Sequence, residues 1–579
     1  MNGAVLVNGE RHSFWRDTWR LVKPYWLSDD KVWAWGLLVT IVALNLSSVF
    51  LSVRFNLWSR DFFNALQVYD WPAFKHQFII FGILSLVAMS VTIYQIYLQQ
   101  MLQIRWRRWL TRQFLDTWLD RHAYYHLQLL NGGTDNPDQR IADDLEIFTR
   151  QALGLTIGAG GILSASVTLV TFIGILMMLS GSLTIPLGSF GTIRIWGYMV
   201  WFALIYAAIG TWFALKIGRP LVKLNFDQQR YEADFRFSLM RLRENAESIA
   251  LYGGEGRERR TFLDRFESVF CNFRVIMKYT KRLNWYTSGY NRFALVFPYL
   301  VSAPRYFAKQ ITFGVFQQTA DAFVQVQQSL SFIVNAYTVI ADWQAVMQRL
   351  ASFDSRSRAV AAEAGVGSPI LIERAGDGIE VTNLNLELPD GSELLRDVNF
   401  NIAPDEWLLI TARSGSGKST LLRAIAGIWP FGTGHIRLGT GRILFVPQRS
   451  YIPLGSLRAA LLYPNEDDKT PYARLVDVLN KTGLSAFASK LDTMDNWAQR
   501  MSLGEQQRLA FARILLSEPA FIFMDEATSA LDEEGEDELY ALLRHAEKRP
   551  TVVSVGYRRT LAKYHDHFLP LTSKKAKSS

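Results

Sequence analysis

A glycine-rich segment is the part of the sequence best suited to chemistry. It reads Ser414-Gly415-Ser416-Gly417-Lys418-Ser419-Thr420 and lies between a strand-like run at 407–411 and a helical pattern at 421–428. A strand, such a turn and a helix N-terminus together gather backbone N–H groups around a phosphate. Lys418 would hold the β- and γ-phosphates, and the Ser419 hydroxyl would help coordinate Mg²⁺. The segment therefore predicts a nucleoside triphosphate site.

Two acidic residues after an apolar run supply the groups that such a site needs for hydrolysis. Four hydrophobic residues, 521–524, precede Asp525 and Glu526. A carboxylate at the end of a buried strand suits Asp525 to Mg²⁺, and Glu526 is placed to polarise the attacking water. A strand that simply ends in surface acids is the alternative for this pair taken alone. With the phosphate loop upstream, ATP hydrolysis is the better interpretation.

A third segment carries the resemblance to a family. Met501-Ser502-Leu503-Gly504-Glu505-Gln506-Gln507-Arg508 resembles LSGGQQQR, the signature of ABC proteins. The resemblance implies that Ser502, Gly504 and Glu505 contact the γ-phosphate of a nucleotide held by a second copy. It also matches Gln448 to the Q-loop, with roles in catalysis and at Mg²⁺, and Asp532 to the D-loop. Because one chain has a single ATP-binding domain, a homodimer follows.

Three positions depart from the ABC pattern. Ala412 stands where the phosphate loop has its first glycine, and its methyl group would tighten the turn. The segment 386–391 offers no aromatic ring for adenine, and Tyr557 stands where a histidine normally contacts the γ-phosphate. A phenol is neutral and longer than imidazole, although it can donate one hydrogen bond. We expect slow or unusual hydrolysis rather than none.

Two kinds of structure must position these residues. From about Ile370 onward, short strand-like runs alternate with helical patterns, which predicts a parallel α/β sheet. The first 350 residues contain long apolar runs instead, and hydrophobic residues make up 49% of the 579-residue chain. The predicted fold is a membrane α-helical domain followed by an α/β P-loop ATPase domain.

Four apolar runs meet the roughly 20 residues that a helix needs to cross a bilayer. They are 32–53, 78–102, 152–179 and 195–217. Two weaker runs, 283–307 and 319–346, complete a six-span domain of the ABC exporter type. The polar stretches 103–147 and 221–282 are predicted to extend membrane helices into the cytoplasm. The expected order is an N-terminal cytoplasmic segment (1–30), the membrane domain (31–358), a linker (359–369), the ATPase domain (370–571) and a disordered tail (572–579).

The charge distribution favours a membrane over nucleic acid as the partner. The net charge is +9, from 62 basic and 53 acidic residues, and basic clusters flank the apolar runs. A nucleic-acid surface would form one basic stripe on a soluble domain, so no nucleic-acid partner is expected. Cys271 is the only cysteine, which excludes an internal disulfide. The first 30 residues lack the pattern of a removable signal peptide.

The membrane half resembles a narrower group within the ABC proteins. Asn136-Pro137-Asp138-Gln139-Arg140 and the stretches 297–307 and 318–332 are similar to segments of SbmA/BacA-type permeases and peroxisomal acyl-CoA transporters. The resemblance is strongest to bacterial fusions of a BacA-like membrane domain with an ATPase, and it covers 26–571. It implies a multi-pass protein of the bacterial inner membrane with its ATPase domain in the cytoplasm.

Polar residues in the last spans suggest the cargo. Polar side chains that face lipid are costly, so the stripe that these residues form along the helices should line water or a partner helix. We expect a polar cavity for hydrophilic solutes such as peptides or cobalamin-like molecules. Hydrogen bonding between helices without cargo contact is the alternative. Acyl-CoA transport and an ATP-gated membrane protein that hydrolyses little ATP are the rival functions. The residues assigned to the transport pathway are Arg292, Gln318, Asp321, Gln325, Gln328 and Asn335, with Asp342 further along the same stripe.

Overall fold

The chain divides into two compact units that alternate along the sequence. The computed structural model describes residues 14–131, 137–186, 192–363, 369–413, 415–465, 469–556 and 558–571. One unit, the helical unit, contains Glu10–Leu115 and Asn136–Asp354. The other, the C-terminal unit, combines Asp116–Asp135 with Ser355–Ser579.

The helical unit and its continuations are built mainly from long helices. In chain order the first elements are α1 (Phe14–Val22), α2 (Lys31–Gln67), α3 (Trp71–Leu119), α4 (Ala123–Asn131), α5 (Pro137–Gln139), α6 (Leu145–Thr156) and α7 (Ile162–Ser180). After them come β1 (Ser182–Pro186), β2 (Thr192–Trp196), α8 (Tyr198–Glu244), α9 (Ala246–Tyr252), α10 (Glu255–Phe307), α11 (Phe313–Leu330) and α12 (Phe332–Glu363).

Four helices in the described part of the chain are long and apolar enough to cross a membrane, namely α2, α3, α7 and α8. The other two predicted spans are helical as well, in α10 and in α11 with α12, but they do not reach that apolarity. The predicted extensions beyond the apolar runs are present, because α3, α8 and α10 are each 47 to 53 residues long in total, more than twice the roughly 20 residues that cross a bilayer.

The third and fourth predicted spans begin later than expected. The run 152–179 is interrupted at 157–161, between α6 and α7, where Gly160 has a φ of +78°. The buried Asn45 amide donates to the Ile157 carbonyl at 2.7 Å, which gives this carbonyl a partner where the helix is interrupted. Similarly, 192–196 forms strand β2, antiparallel to β1, and α8 starts only at Tyr198. The hairpin was not predicted, because its strands are only five residues each and only Ile195 and Trp196 fall inside a predicted span.

Helices α8 and α10 pack along one another in antiparallel directions. Near the middle of α8 the Asn272 amide donates to Gln228 Oε1 at 2.9 Å, and nearer its start the Tyr286 hydroxyl donates to the Gly210 carbonyl at 3.0 Å. Cys271, next to Asn272 in the sequence, is exposed, and its thiol donates to Glu267.

The C-terminal unit holds two main sheets with helices around them. Its strands are β3 (Ile370–Arg374), β4 (Ile379–Glu387), β5 (Glu393–Ile402), β6 (Trp407–Thr411), β7 (Gly432–Leu438), β8 (Ile443–Val446), β9 (Gly455–Ser456), β10 (Met494–Asp495), β11 (Phe521–Asp525), β12 (Thr551–Val555) and β13 (His567–Pro570). Its helices are α13 (Lys418–Ile425), α14 (Leu457–Leu462), α15 (Tyr472–Lys481), α16 (Trp497–Arg500), α17 (Leu503–Ser517) and α18 (Glu533–Arg544).

The predicted parallel sheet is present, in the order β13-β6-β12-β11-β8. Its central strands are almost fully buried, because helices or the second sheet cover both faces. The helix after the phosphate loop runs from Lys418 to Ile425 rather than from 421 to 428. The second sheet, β3-β7-β4-β5, was not predicted as a sheet, and β4 is antiparallel to both β7 and β5.

The connection between the second and third predicted spans belongs to the C-terminal unit. Ala123, at the start of α4, is fully buried against Val360 and Ala361, and Arg121 donates to the Ala361 carbonyl. Further along α4, Leu129 packs on the core of the C-terminal unit. A stretch of chain that follows a membrane helix is therefore part of the unit that carries the phosphate loop.

Candidate functional site

The candidate ATP site lies where parallel strands end. In the five-stranded sheet, Met524 pairs with Val446, and Asp525 pairs with Val555. Parallel strands end on the same edge of a sheet, and ligands of such sheets bind there. The loops after β6, β8, β11 and β12 therefore open on one edge, and the first three of them carry the phosphate loop, Gln448 and Glu526.

The phosphate loop has the backbone that its glycines allow. Gly415 and Gly417 have φ values of +77° and +93°, a region that residues with a Cβ rarely adopt. A Cβ on Gly417 would also lie 3.0 Å from the Leu394 side chain. Gly417 caps α13, so Lys418, Ser419 and Thr420 form its first turn. Ser414 lies outside the described residues.

The site contains polar groups that a phosphate could satisfy. The Ser416 hydroxyl is buried and has no hydrogen-bond partner among the described residues. The Lys418 ammonium is also largely buried, and it donates to the Ala412 carbonyl at 3.0 Å. Buried donors without a full set of partners are costly, so this loop fits an anionic ligand.

Lys418, Gln448 and Glu526 meet at the mouth of this loop. The Lys418 ammonium lies 3.6 Å from Glu526 Oε1, and the Gln448 amide donates to Glu526 Oε2 at 3.1 Å. Glu526 has a φ of +48°, a strained conformation for a residue with a side chain. Its backbone N–H donates to the Val555 carbonyl at 3.0 Å, which holds the turn in place.

The oxygen donors around this edge suit Mg²⁺. A hydroxyl on Ser419, a carboxylate on Asp525 and an amide oxygen on Gln448 are hard ligands of the type that this ion takes. Ser419 lies in the first turn of α13 and Asp525 ends β11. The donor set is therefore compatible with a magnesium ion held beside a bound triphosphate.

The signature serine is engaged by the glutamate three residues later. Ser502 caps α17, and its hydroxyl accepts from the Glu505 N–H at 3.3 Å. In return the Glu505 carboxylate accepts from the Ser502 N–H at 2.8 Å and from its hydroxyl at 2.9 Å. This reciprocal capping box stabilises the helix start. It also places the negative Glu505 carboxylate against Ser502, which the family resemblance assigns to the γ-phosphate.

Gln507 connects two of the loops and had no assigned role in the sequence analysis. Its amide oxygen accepts from the Ala530 N–H at 2.9 Å, and its nitrogen donates to the Ser529 hydroxyl at 3.2 Å. The same nitrogen lies 3.5 Å from the Gln448 carbonyl. The side chain is nearly fully buried. The sequence indicated a role for Gln507 only through its position inside the signature segment.

A second contact set joins the D-loop to the segment after position 557. Arg558 donates to the carbonyls of Leu531 and Ser529 at 2.9 and 3.1 Å. Its guanidinium lies 3.6 Å from the buried Glu536, which accepts hydroxyls from Thr528 and Thr560 at 2.7 Å each. These residues were also missed; Glu536 shares a helix face with the buried Leu539, Tyr540 and Leu543, and a charge on such a face was the signal.

The remaining predicted residues of the ATP site are Asp532, Gly504 and Tyr557. Asp532 caps α18, where its side chain accepts from the Gly535 N–H at 3.0 Å. Gly504 lies against the D-loop, since a Cβ there would be 3.3 Å from Leu531 Cδ2. Tyr557 lies outside the described residues.

The residues assigned to the transport pathway do not share one environment. Gln318 is buried and exchanges hydrogen bonds with Asn56 of α2, at 3.1 and 3.0 Å. Asp321 accepts from Ser59 at 2.8 Å and from Gln317 at 3.2 Å. These contacts are the inter-helix bonding that was the alternative to a cargo role.

The remaining pathway residues are more open. Gln325 is half-buried, Gln328 and Arg292 are exposed, and Gln328 lines a cavity in the helical unit. Asn335 lies on α12, and its side chain is outside the described part. The predicted continuous stripe is interrupted at Ser331, between α11 and α12.

The NPDQR segment forms a buried charge cluster in the helical unit. Asp144 is nearly inaccessible to solvent and accepts two hydrogen bonds from Arg349 of α12, at 2.7 and 2.9 Å. Arg140 donates to the same carboxylate at 2.9 Å. Residues 132–136, which include the first residue of the motif, lie outside the described part.

Two family models match the chain. The model described as "ABC transporter transmembrane region 2" matches residues 21–307, and the model described as "ABC transporter" matches residues 395–529.

Relatives match over nearly the whole length. "ABC transporter D family member 2, chloroplastic" of Arabidopsis thaliana is 33% identical, over 98% of this chain and 88% of the relative. "Inner membrane ABC transporter ATP-binding protein YddA" of Escherichia coli is 33% identical over 92% of each chain. "Lysosomal cobalamin transporter ABCD4" of Homo sapiens is 27% identical over 95% of this chain and 93% of the relative.

A solved structure has the same fold. A bacterial Atm1-family ABC exporter with ATP bound superposes with a TM-score of 0.73 and covers 93% of both chains at 16% identity. The predicted fold class, a helical membrane domain with an ABC ATPase domain, is confirmed.

Proposed function

The chain belongs to the D family of ABC transporters, whose ATP hydrolysis drives transport, and we propose that this member moves hydrophilic solutes across a bacterial inner membrane as a homodimer. One copy has a single phosphate loop and a single signature segment. A complete site needs the signature of one copy opposite the phosphate loop of the other, as the family resemblance implies.

The polar face of α11 carries the proposal for hydrophilic cargo. Gln317, Asp321, Gln325 and Gln328 recur at helical spacing, and each is half-buried or exposed. Asp321 is already bonded to Ser59 of α2 and to Gln317, so the more open amides of Gln325 and Gln328 carry the argument, because polar side chains in a membrane span need water or polar cargo beside them. The name of the human cobalamin transporter shows that a relative moves a hydrophilic molecule.

At the nucleotide, the residues of the site would bind the phosphates, hold Mg²⁺ or act in hydrolysis. Lys418 and the loop from Ser414 to Thr420 hold the phosphates, and Ser419, Asp525 and Gln448 supply oxygen donors for Mg²⁺. Glu526 polarises the attacking water, and Tyr557 takes the place of the usual histidine. Lys418 and Gln448 keep the Glu526 carboxylate at the loop mouth before nucleotide arrives.

On the opposite copy, Glu505 sets the affinity for the phosphate. Its carboxylate accepts both polar hydrogens of Ser502, so the γ-phosphate must displace it before Ser502 and Gly504 can bind. Two negative charges competing for one helix N-terminus weaken binding of the nucleotide.

Reconstituted protein tests the function. Purified protein in liposomes should show Mg²⁺-dependent ATPase activity and ATP-driven movement of a labelled hydrophilic solute, with ATP on one side at a time. Labelled peptide, cyanocobalamin and palmitoyl-CoA serve as probes. Movement of palmitoyl-CoA alone, or ATPase activity with no movement of any probe, would contradict the proposal, as would a strictly monomeric active protein.

A further inference from the structure

A cavity in the helical unit is lined by neutral groups, both polar and apolar. Its volume is about 490 Å³, and it lies between α8, α10 and α11. Small-molecule sites in proteins span about 300–1,000 Å³ and combine apolar walls with a few fixed polar groups. The residues that line it include Gly210, Tyr286, Tyr290, Asn291, Gln327 and Ser331.

Tyrosine rings form a rigid wall of this cavity. The Tyr290 ring stacks on Tyr206 with 4.6 Å between ring centroids, and the Tyr206 hydroxyl donates to the Tyr290 carbonyl at 2.6 Å. Tyr286 lies beside Tyr290 at 6.1 Å and donates to the Gly210 carbonyl at 3.0 Å. Two hydrogen bonds and two stacking contacts therefore fix the wall before any ligand binds.

Gly210 makes room for this wall. A Cβ at position 210 would lie 2.3 Å from the Tyr290 ring and 2.7 Å from its hydroxyl oxygen. The backbone of α8 thus approaches the ring as closely as a glycine permits. An alanine there would displace the ring and change the shape of the cavity.

The polar groups of the cavity retain capacity for a ligand. The Tyr290 hydroxyl is buried and has no hydrogen-bond partner among the described residues. On the opposite side, the buried Gln327 donates to the Ser331 hydroxyl at 3.2 Å. Asn291 adds a second amide to the lining. A buried hydroxyl without a partner is unfavourable, and a hydrogen-bonding ligand would supply the missing partner.

The lining carries no charge among the described residues that form it. A phosphate-bearing headgroup would find no cation, and a cationic side chain would find no carboxylate. A hydrocarbon chain would leave the amides and hydroxyls unpaired, which sites of this kind reject strongly. We propose that this cavity is a cargo subsite that takes an uncharged, hydrogen-bonding part of the solute, such as a peptide unit or a side-chain amide.

This inference rests on the proposed function, because it names the class of cargo that the transporter would carry. Binding and transport are therefore measured separately. Binding is measured by equilibrium dialysis on the purified full-length protein in detergent. The probes are three doubly blocked labelled tripeptides that differ only at the central residue, which is serine, lysine or aspartate.

The wild-type protein should bind the serine peptide saturably and at least tenfold more tightly than the lysine or aspartate peptide. Tyr290→Phe and Gln327→Leu should each weaken binding of the serine peptide about three- to tenfold, the worth of one hydrogen bond. Gly210→Ala should weaken it further by displacing the Tyr290 ring. Tyr306→Phe, on α10 but outside the cavity, is the matched control and should bind as the wild type does.

Equal binding of the three peptides, or no saturable binding, would overturn the inference. So would unchanged binding in Tyr290→Phe and Gln327→Leu when both variants keep the elution volume and melting temperature of the wild type. Uptake into liposomes is the separate test of function. Peptide binding without ATP-driven uptake would remove the proposed function and leave the cavity assignment standing, and uptake without an effect of the variants would do the reverse.

Discussion

The ATP site and the polar contacts of the helical unit are assembled from sequence in different ways. At the ATP site, Glu526 follows directly from β11, Lys418 begins the helix after β6 and the phosphate loop, and four parallel strands bring their loops to one edge. In the helical unit, Asp144 meets Arg349 across 205 positions, and Asn56 meets Gln318 across 262. Short motifs thus encode the first site locally, while helix packing selects the partners of the second.

If short motifs alone encode the ATP site, a single carboxylate within them should control the rate of ATP hydrolysis. Glu526→Gln should lower ATPase activity at least 100-fold, within the 10²–10⁴ range of general acid–base catalysis, while ATP still binds. Phosphate release and binding of a fluorescent ATP analogue measure the two effects. Glu533→Gln, an exposed acid in the first turn of α18, is the control. Unchanged turnover in Glu526→Gln would remove the assigned role.

If the helical unit depends on distant pairs, removing Asp144 should destabilise it with little direct effect on the ATP site. Asp144→Ala leaves two arginines beside a buried void and should lower the free energy of unfolding by about 3 kcal/mol. The apparent Tm of the purified protein measures this change. Asp143→Ala, at the exposed neighbouring position, should leave Tm unchanged. Equal Tm values for both variants would show that the charge cluster contributes nothing.

Gln507 tests whether contacts between loops matter as much as the motifs themselves. Gln507→Leu removes the hydrogen bonds to Ser529 and Ala530, and we expect kcat to fall about tenfold with little change in the KM for ATP. Steady-state kinetics separate the two constants. Gln506→Leu is the matched control, because the Gln506 side chain donates to the nearby carbonyls of Ala498 and Met501 rather than to the D-loop in the described part of the chain. A rise in KM alone would instead assign Gln507 to nucleotide binding.

Glu505 tests a departure of the signature from LSGGQQQR. Glu505→Gln keeps a side-chain oxygen for the capping box and removes the charge that opposes the phosphate. The KM for ATP should fall about fivefold, the effect of roughly 1 kcal/mol of repulsion near a surface. Glu534→Gln makes the same charge change at the start of α18 and should not alter KM. A higher KM in Glu505→Gln would mean that the carboxylate assists binding.

The smallest expected effect concerns a surface pair of the C-terminal unit. Arg544, with the Trp407 N–H, lowers the pKa of the Asp566 carboxyl. A lowered pKa stabilises the fold above the ordinary value near 3.9, and the gain is lost as pH falls below that value. Asp566→Asn should therefore cost about 1 kcal/mol at pH 7, since the group is partly exposed. The Tm difference from wild type should therefore shrink at pH 3. A constant difference would point to packing instead.

The same contrast explains what could be predicted from the sequence. Strands at 407–411, 521–525 and 551–555 are continuous apolar runs between turn signals, and all three are where the sequence placed them. In the sheet of β4, β5 and β7, register shifts on both sides of β4 break the regular alternation that indicates a strand. The interruption at 157–161 was missed because an amide on α2, far away in sequence, satisfies it.

In the candidate site, too, the residues within short motifs could be predicted and the contacts between distant segments could not. Lys418, Glu526 and Gln448 were predicted from residue types in order along the chain, and the structure brings them within hydrogen-bonding or ion-pair distance. Arg558 and Glu536 were missed, because their roles depend on backbone carbonyls and hydroxyls that no spacing specifies. Gln318 was correctly seen as a polar residue in a helix, but its partner Asn56 could not be deduced from periodicity.

The lone thiol on α10 has a practical consequence for measuring motion. Cys271 is exposed, so a spin label or fluorophore can be attached to the natural sequence without removing other cysteines. In a homodimer this gives one symmetric pair of probes, whose separation can be followed by electron paramagnetic resonance as nucleotide is added. Hydrogen bonding to Glu267 raises the pKa of the thiol, so labelling should proceed best in mildly alkaline buffer.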